Sequence, residues 1–204
     1  MPKSTPIPPH VAISVGHRRN AQGAAYGGLT EWLYNSELAP RLADALSEEG
    51  IEAVVVLRPE RASYRGKGED KVRVSPYMRQ IEMVNETQAL CAIDLHLDAA
   101  ESEWARGRTI LSSGSRGSLE LCGALRGAMG LHMPASQDRG VKVRSAGENG
   151  GPFLHLTRMP AALVEPWFLS NQEDRQQIVW YQEAYIKSLV VGLKNYLSAI
   201  GALD

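Results

Sequence analysis

The stretch Val11-Ala12-Ile13-Ser14-Val15-Gly16-His17 decides the fold. Its first five residues carry no charge and are rich in β-branched side chains, so they read as a buried strand that Gly16-His17 ends. A polar, glycine-containing loop over residues 18–28 follows. A helix is then expected over 30–49, with Thr30 as its cap, Gly50 as its stop, and Leu38, Leu42, Ala45 and Leu46 on its apolar face. Pro40 lies inside it, and a mid-helix proline costs about 3 kcal/mol, so a kink or split is expected near Leu38. The valine-rich run 51–57 reads as the second strand. Strand, helix and strand in this order form a parallel pair with a crossover helix.

The rest of the chain repeats the alternation. Residues 58–74 read as a surface loop. Ser75-Pro76 starts a helix whose stripe is Met78, Ile81 and Val84. Strands are expected over 90–97 and 108–112. Leu119, Cys122, Leu125 and Met129 mark a helix, and 137–151 reads as a second long polar loop. Short strands are expected over 153–156 and 161–164. A closing helix is expected over 172–197, with Ile178, Tyr181, Tyr185, Leu189, Leu193 and Tyr196 on one face. The fold class is therefore α/β: a single domain with a twisted, mostly parallel sheet of about six strands, flanked by helices on both faces.

Composition narrows the function. The 204 residues are 44% hydrophobic and 22% charged, which excludes disordered and fibrous classes. A net charge of −1 argues against nucleic-acid partners held by phosphate contacts and against a basic membrane binder. No apolar run approaches the ~20 residues of a spanning helix, so no membrane insertion is expected. Residues 1–10 read as a proline-rich arm without the apolar core of a secretory signal, so cytoplasmic residence is expected. Cys91 and Cys122 sit in apolar segments and read as buried thiols rather than a disulfide.

In parallel sheets, functional groups gather at the carboxyl ends of strands. His17 follows the first strand. His96 ends the third, in Ile93-Asp94-Leu95-His96, and Glu165 ends the last, in Leu163-Val164-Glu165-Pro166-Trp167-Phe168. Glu31 lies on the first turn of the first helix. Two imidazoles and a carboxylate are a common catalytic zinc set, and a further carboxylate can act as general base. Each residue also has a plainer reading. A strand-end histidine can be a hydrogen-bonded structural group, Glu31 can serve the helix dipole, and Glu165 can be salt-bridged to an arginine. The helical HExxH motif is absent.

The order and context of these residues resemble the zinc-dependent N-acetylmuramoyl-L-alanine amidases of the Amidase_3 type, over residues 11–197. Val15-Gly16-His17 resembles the strand-end Gly-His of the family's first zinc ligand. Leu29-Thr30-Glu31, with Asn35 one turn on, resembles its glutamate-ligand helix. Ile93-Asp94-Leu95-His96 resembles the strand of its third ligand, usually Ser-x-His. Met159-Pro160-Ala161-Ala162-Leu163-Val164-Glu165, followed by Phe168-Leu169-Ser170-Asn171, resembles the segment that carries its catalytic glutamate. Arg79 and Asn85 fit its helix before the third strand. Ser14 stands where the family usually has aspartate, Arg18 and Arg19 where it has glycines, Leu97 and Asp98 where it has small residues, and His155 where it often has arginine. His155 is either a substrate contact or a half-buried strand residue.

The resemblance implies that residues 11–204 form an amidase catalytic domain, with His17, Glu31 and His96 as ligands to Zn2+ and Glu165 as the catalytic base and acid. Peptidoglycan would be the substrate, cut between N-acetylmuramic acid and the L-alanine of the stem peptide. A compact chain of this kind resembles phage endolysins: a monomer that waits in the cytoplasm, reaches the cell wall through a lesion made by a holin-type partner, and lyses the host. The alternative is another zinc amidohydrolase or carboxypeptidase acting on small N-acyl amino acids or peptides, which would need a closed pocket where a wall amidase needs an open groove.

Overall fold

The computed structural model describes residues 10–66 and 68–203. The proline-rich arm, apart from His10, lies outside the described residues.

β1 (Val11–Val15) is buried along its whole length. The loop after it contains a two-residue ladder, β2 (Ala25–Tyr26) against β3 (Leu29–Thr30). α1 (Glu31–Glu48) starts where Thr30 accepts a hydrogen bond from the Leu33 N–H. It runs unbroken through Pro40, so the expected split near Leu38 does not occur. The Pro40 ring points to solvent, while Leu38, Ala39, Leu42 and Leu46 are fully buried on the opposite side and hold both halves to one core. β4 (Ala53–Leu57) follows. The expected loop over 58–74 contains a hairpin, β5 (Ser63–Arg65) with β6 (Val72–Val74). α2 (Pro76–Glu86) begins at Ser75, whose hydroxyl accepts from the Met78 N–H at 3.2 Å.

β7 (Cys91–Leu95), β8 (Arg108–Ser112) and α3 (Arg116–His132) lie where the sequence places them. The expected loop over 137–151 supplies an edge strand, β9 (Asp138–Val143). Residues 153–156 are not a strand. They close α4 (Gly151–Leu156), which Gly150 opens at φ 80° with Pro152 in the first turn, where a proline's missing N–H is not needed. β10 (Ala161–Glu165) then crosses the sheet. The single closing helix is two, α5 (Gln172–Trp180) and α6 (Gln182–Ala199), separated at Tyr181. α5 buries only Asp174 and Ile178, whereas α6 buries nine residues, among them Tyr185, Leu189, Leu193 and Tyr196. Both meet the same core, α6 along its length and α5 only through Ile178.

The main sheet has the order β4-β1-β7-β10-β8-β9. β8 runs antiparallel to its neighbour β10, and β9 is parallel to β8, so these two strands run opposite to the other four. Helices cover both faces. Leu38, Leu42, Leu125, Leu189 and Leu193 pack with Ile13 and Ile93 on one side. Ile81, Val84, Phe153 and Leu154 pack with Ala12, Ala92 and Leu163 on the other. Cys91 and Cys122 are free, buried thiols, both pushed up to about 12 by burial, so neither is a nucleophile.

Candidate active site

The three central strands β1, β7 and β10 are parallel neighbours and finish at one edge. The pairing continues past their ends: the Gly16 N–H donates to Leu95 O at 2.9 Å, and the His96 N–H to Val164 O at 3.0 Å. His17, His96 and Glu165 are therefore delivered side by side. His17 has φ 64°, in the left-handed region that a side chain seldom adopts. The loop around it is tied down. Arg18 and Ala21 exchange backbone hydrogen bonds, and the Glu60 carboxylate accepts from the N–H groups of Arg19 (3.0 Å) and Asn20 (3.2 Å).

Glu31 reaches the same point from the start of α1. Its Oε2 lies 3.0 Å from His17 Nε2, and its Oε1 lies 2.7 Å from His96 Nδ1. The backbone N–H of Leu97 also donates to Oε1 at 3.1 Å. Burial alone would raise the Glu31 pKa, but the hydrogen bonds from His17 and His96 outweigh it and hold the carboxyl well below the usual range. One donor atom from each of His17, Glu31 and His96 lies within 4.8 Å of the others. Two glycines make room for the cluster. A Cβ on Gly16 would stand 2.3 Å from His96 Cε1, and one on Gly23 would stand 2.5 Å from Glu31 Oε2.

On the far side of its ring, His96 Nε2 lies 3.0 Å from Oδ2 of the fully buried Asp94. Burial works against a proton on His96, but Asp94 and Glu31 outweigh it and push the pKa up to about 10. This is the arrangement a metal-ligating histidine uses: one nitrogen toward the metal, the other fixed by a carboxylate. Two imidazole nitrogens, one carboxylate and that supporting aspartate fit a divalent metal with borderline-soft preferences.

Glu165 stands on the same edge, half-buried. Burial first, and then the neighbouring Asp98, raise its pKa to about 7. No arginine forms an ion pair with it among the described residues, so the salt-bridge reading does not hold. The structure brings His17, Glu31 and His96 together and sets Glu165 at their edge. His155 lies elsewhere. It is on α4, with Nε2 2.7 Å from Arg144 O, in a cleft with Ser113, Met159 and Pro160 at the opposite end of β10. Arg79 pairs with Glu82 and Glu86 on α2, and the Asn85 side chain clamps Leu156 O and Arg158 N, which holds the turn into β10. Sequence reasoning missed the part played by Asp94. The available signal was the Asp94-x-His96 spacing, which puts both side chains on one face of a strand.

Comparison with known proteins finds relatives of this chain in sequence and in fold. The Amidase_3 family, described as N-acetylmuramoyl-L-alanine amidase, matches residues 11–195. The germination-specific N-acetylmuramoyl-L-alanine amidase of Bacillus subtilis (strain 168) is 22% identical over 198 residues, covering 94% of this chain and 81% of that protein. The catalytic domain of the CD27L endolysin targeting Clostridia difficile superposes with a TM-score of 0.73 at 28% identity, covering 92% of this chain and 97% of that one. The CwlD amidase from Clostridioides difficile, solved in complex with the GerS lipoprotein, superposes with a TM-score of 0.74 at 23% identity, covering 93% and 99%.

Proposed function

Because the chain belongs to the Amidase_3 family of N-acetylmuramoyl-L-alanine amidases, we propose that it is a zinc-dependent peptidoglycan amidase whose metal is held by His17, Glu31 and His96 and whose proton carrier is Glu165. The observation that carries this reading is the convergence of the three donors beside a carboxyl raised to about 7. When bound, zinc supplies Lewis acidity at the scissile carbonyl and lowers the pKa of the attacking water.

The chain's own residues account for the proton traffic. Near neutral pH a substantial fraction of Glu165 is ionised, so it can accept a proton from water as the water oxygen bonds to the carbonyl carbon. The same carboxyl is then a weak enough acid to hold that proton and strong enough to give it to the amide nitrogen as the carbon–nitrogen bond breaks. The products are the lactyl carboxylate of N-acetylmuramic acid and a stem peptide with a free L-alanine amine. Asp94 keeps His96 in one tautomer throughout.

Glu165→Gln tests the reading. The variant is expected to retain stoichiometric zinc and to lose about 10²–10⁴-fold in release of stem peptides from purified cell wall. Zinc retention with full activity would remove Glu165 from the mechanism. Mass analysis of wild-type products should show peptides beginning with L-alanine. A carboxypeptidase or a small-substrate amidohydrolase would give other products. The His17 side chain, one-third exposed at an open sheet edge, favours a polymer over an enclosed small molecule.

The likeness to an endolysin catalytic domain supports a lytic role. On this reading the protein is a monomer that stays in the cytoplasm until a holin-type partner opens the membrane. Expression alone should leave host cells intact, and co-expression with a membrane-permeabilising protein should lyse them. Lysis without that partner would overturn this route of release.

A further inference from the structure

Glu165 has a basic counterpart level with it two strands away. Glu165 pairs with Thr109 on β8. On the other side of Thr109 the pairing with β9 slips: Arg108 faces Asp138 and Ile110 faces Val141, so Arg139 and Gly140 both stand opposite one residue. This is a β-bulge, and Gly140 takes φ 83° within it. Bulges beside active sites re-aim side chains. With strands about 4.8 Å apart, the Arg139 backbone is roughly 10 Å from that of Glu165.

The Arg139 side chain is directed onto the site's own connecting segment. Its Cζ lies 4.9 Å from the centre of the Phe168 ring, and its Nη1 donates to Arg106 O at 3.3 Å. Phe168 bridges to Asp98, and these two residues extend β10 and β7 just beyond Glu165 and His96. Lys142, also on β9, pairs with Leu111, two residues from Thr109 on β8, so it stands on the same face of the sheet as the residues opposite Thr109. Neighbouring cations are engaged, Arg106 with Glu173, Arg108 and Arg126 with Asp138, and Arg144 with Glu148. Arg139 and Lys142 are exposed, and neither has a carboxylate partner among the described residues.

Resting on the amidase reading, we infer that Arg139, assisted by Lys142, binds the first carboxylate of the stem peptide, on the residue that follows L-alanine. In peptidoglycan that residue is a glutamate joined through its side chain, so its α-carboxyl stands outside the peptide path, either free or amidated. Two extended residues span about 7 Å, which with an arginine's reach bridges the offset between Glu165 and Arg139. A guanidinium fork suits a carboxylate by paired, charge-assisted hydrogen bonds and gains much less from an amide. The subsite therefore selects the wall chemotype with free glutamate carboxyls.

The test uses two synthetic N-acetylmuramoyl-L-alanyl-glutamyl peptides whose side-chain carboxyl is capped as a methylamide, one with the α-carboxyl free and one with it amidated, with wild type, Arg139→Gln, Arg139→Lys and Lys142→Gln. Wild type should favour the acid by about 10–100-fold in kcat/KM, mostly through KM. Arg139→Gln should bring that ratio close to one. Arg139→Lys should restore part of it, and Lys142→Gln should lower it less. A wild-type ratio near one, or an equal loss on both substrates in Arg139→Gln, overturns the subsite while leaving the amidase reading intact. Purified cell wall is digested in parallel. If wild type releases stem peptides from it but cleaves neither synthetic peptide, the subsite is overturned and the amidase reading stands, whereas no release from the wall overturns the amidase reading and the subsite with it.

Discussion

Asp94 and Ser14 stand opposite each other in register on β7 and β1, and each has a buried oxygen without a partner, Asp94 Oδ1 and Ser14 Oγ. The family usually has aspartate at the position of Ser14 and serine at that of Asp94. In this chain the two have changed places across the strand pair, so one buried carboxylate is still supplied, from the strand that carries His96. Neither departure was interpretable from the sequence, because register between strands 80 residues apart in the chain does not show in local pattern. Asp94→Asn should weaken zinc binding about 10–100-fold, measured by competition with a chromophoric chelator. The exchange Ser14→Asp with Asp94→Ser should recover more affinity than Asp94→Ser alone. Unchanged affinity in Asp94→Asn would show that the aspartate does not position His96. The four residues that were legible, His17, Glu31, His96 and Glu165, were so because each ends a strand or starts a helix. Glu165 also makes a pH prediction. Its folded pKa of about 7 lies above its ordinary value of 4.5, so the folded state holds the proton more tightly. Its ionisation then costs stability progressively as pH rises from 4.5 through 7. Glu165→Gln should melt with wild type near pH 4 and be more stable at pH 8, by on the order of 1–3 kcal/mol. Equal melting temperatures at pH 8 would contradict this.

Elements were legible where one face is apolar and ambiguous where packing overrides local preference. α1, α2 and α3 carry their own periodicity and caps, β1 and β7 are short, mainly apolar runs, and all five lie where the sequence puts them. β9 lacks that signal. Its residues Asp138-Arg139-Gly140-Val141-Lys142-Val143 read as a loop, and only pairing with β8 makes them a strand. The run 153–156 carries apolar residues that suit a strand or a helix turn, and Gly150 with Pro152 decides for the helix. Pro40 is instructive, because the split it could have caused does not occur. The penalty for a mid-helix proline is real, but it did not break a helix whose other face is locked by Leu38, Ala39, Leu42 and Leu46. The cost should therefore still reside in α1. Pro40→Ala restores an N–H donor to the helix and removes the ring's clash with the preceding turn. It also gives back some freedom to the unfolded chain, which works the other way by about 0.4–1 kcal/mol. The net expectation is a stabilisation of about 1–2 kcal/mol in chemical unfolding, with no change in activity. A destabilised variant would mean that the proline fits α1 without strain.

The whole molecule is a sheet with two apolar faces and one polar edge, and the two parts depend on each other unequally. The core clusters on either face do not include His17, Glu31 or His96. His17 and His96 face the two oxygens of Glu31, so neither oxygen of this buried carboxylate is left bare. The metal-free chain is therefore expected to fold, with an unchanged far-ultraviolet spectrum. Metal binding must displace the protons that those contacts share, and it adds its free energy to the native state alone. The donors come from the end of β1, the start of α1 and the end of β7, so a bound ion ties α1 to the middle of the sheet. At free zinc about a thousandfold above its dissociation constant, the gain is about 4 kcal/mol. For a domain of this size that corresponds to roughly 8–16 °C in melting temperature. Chelator should lower the melting temperature by that amount and added zinc should return it, while Glu31→Gln should respond weakly to either. A wild-type melt indifferent to chelator, in protein shown to start with stoichiometric zinc, would mean that the ion does not join these elements.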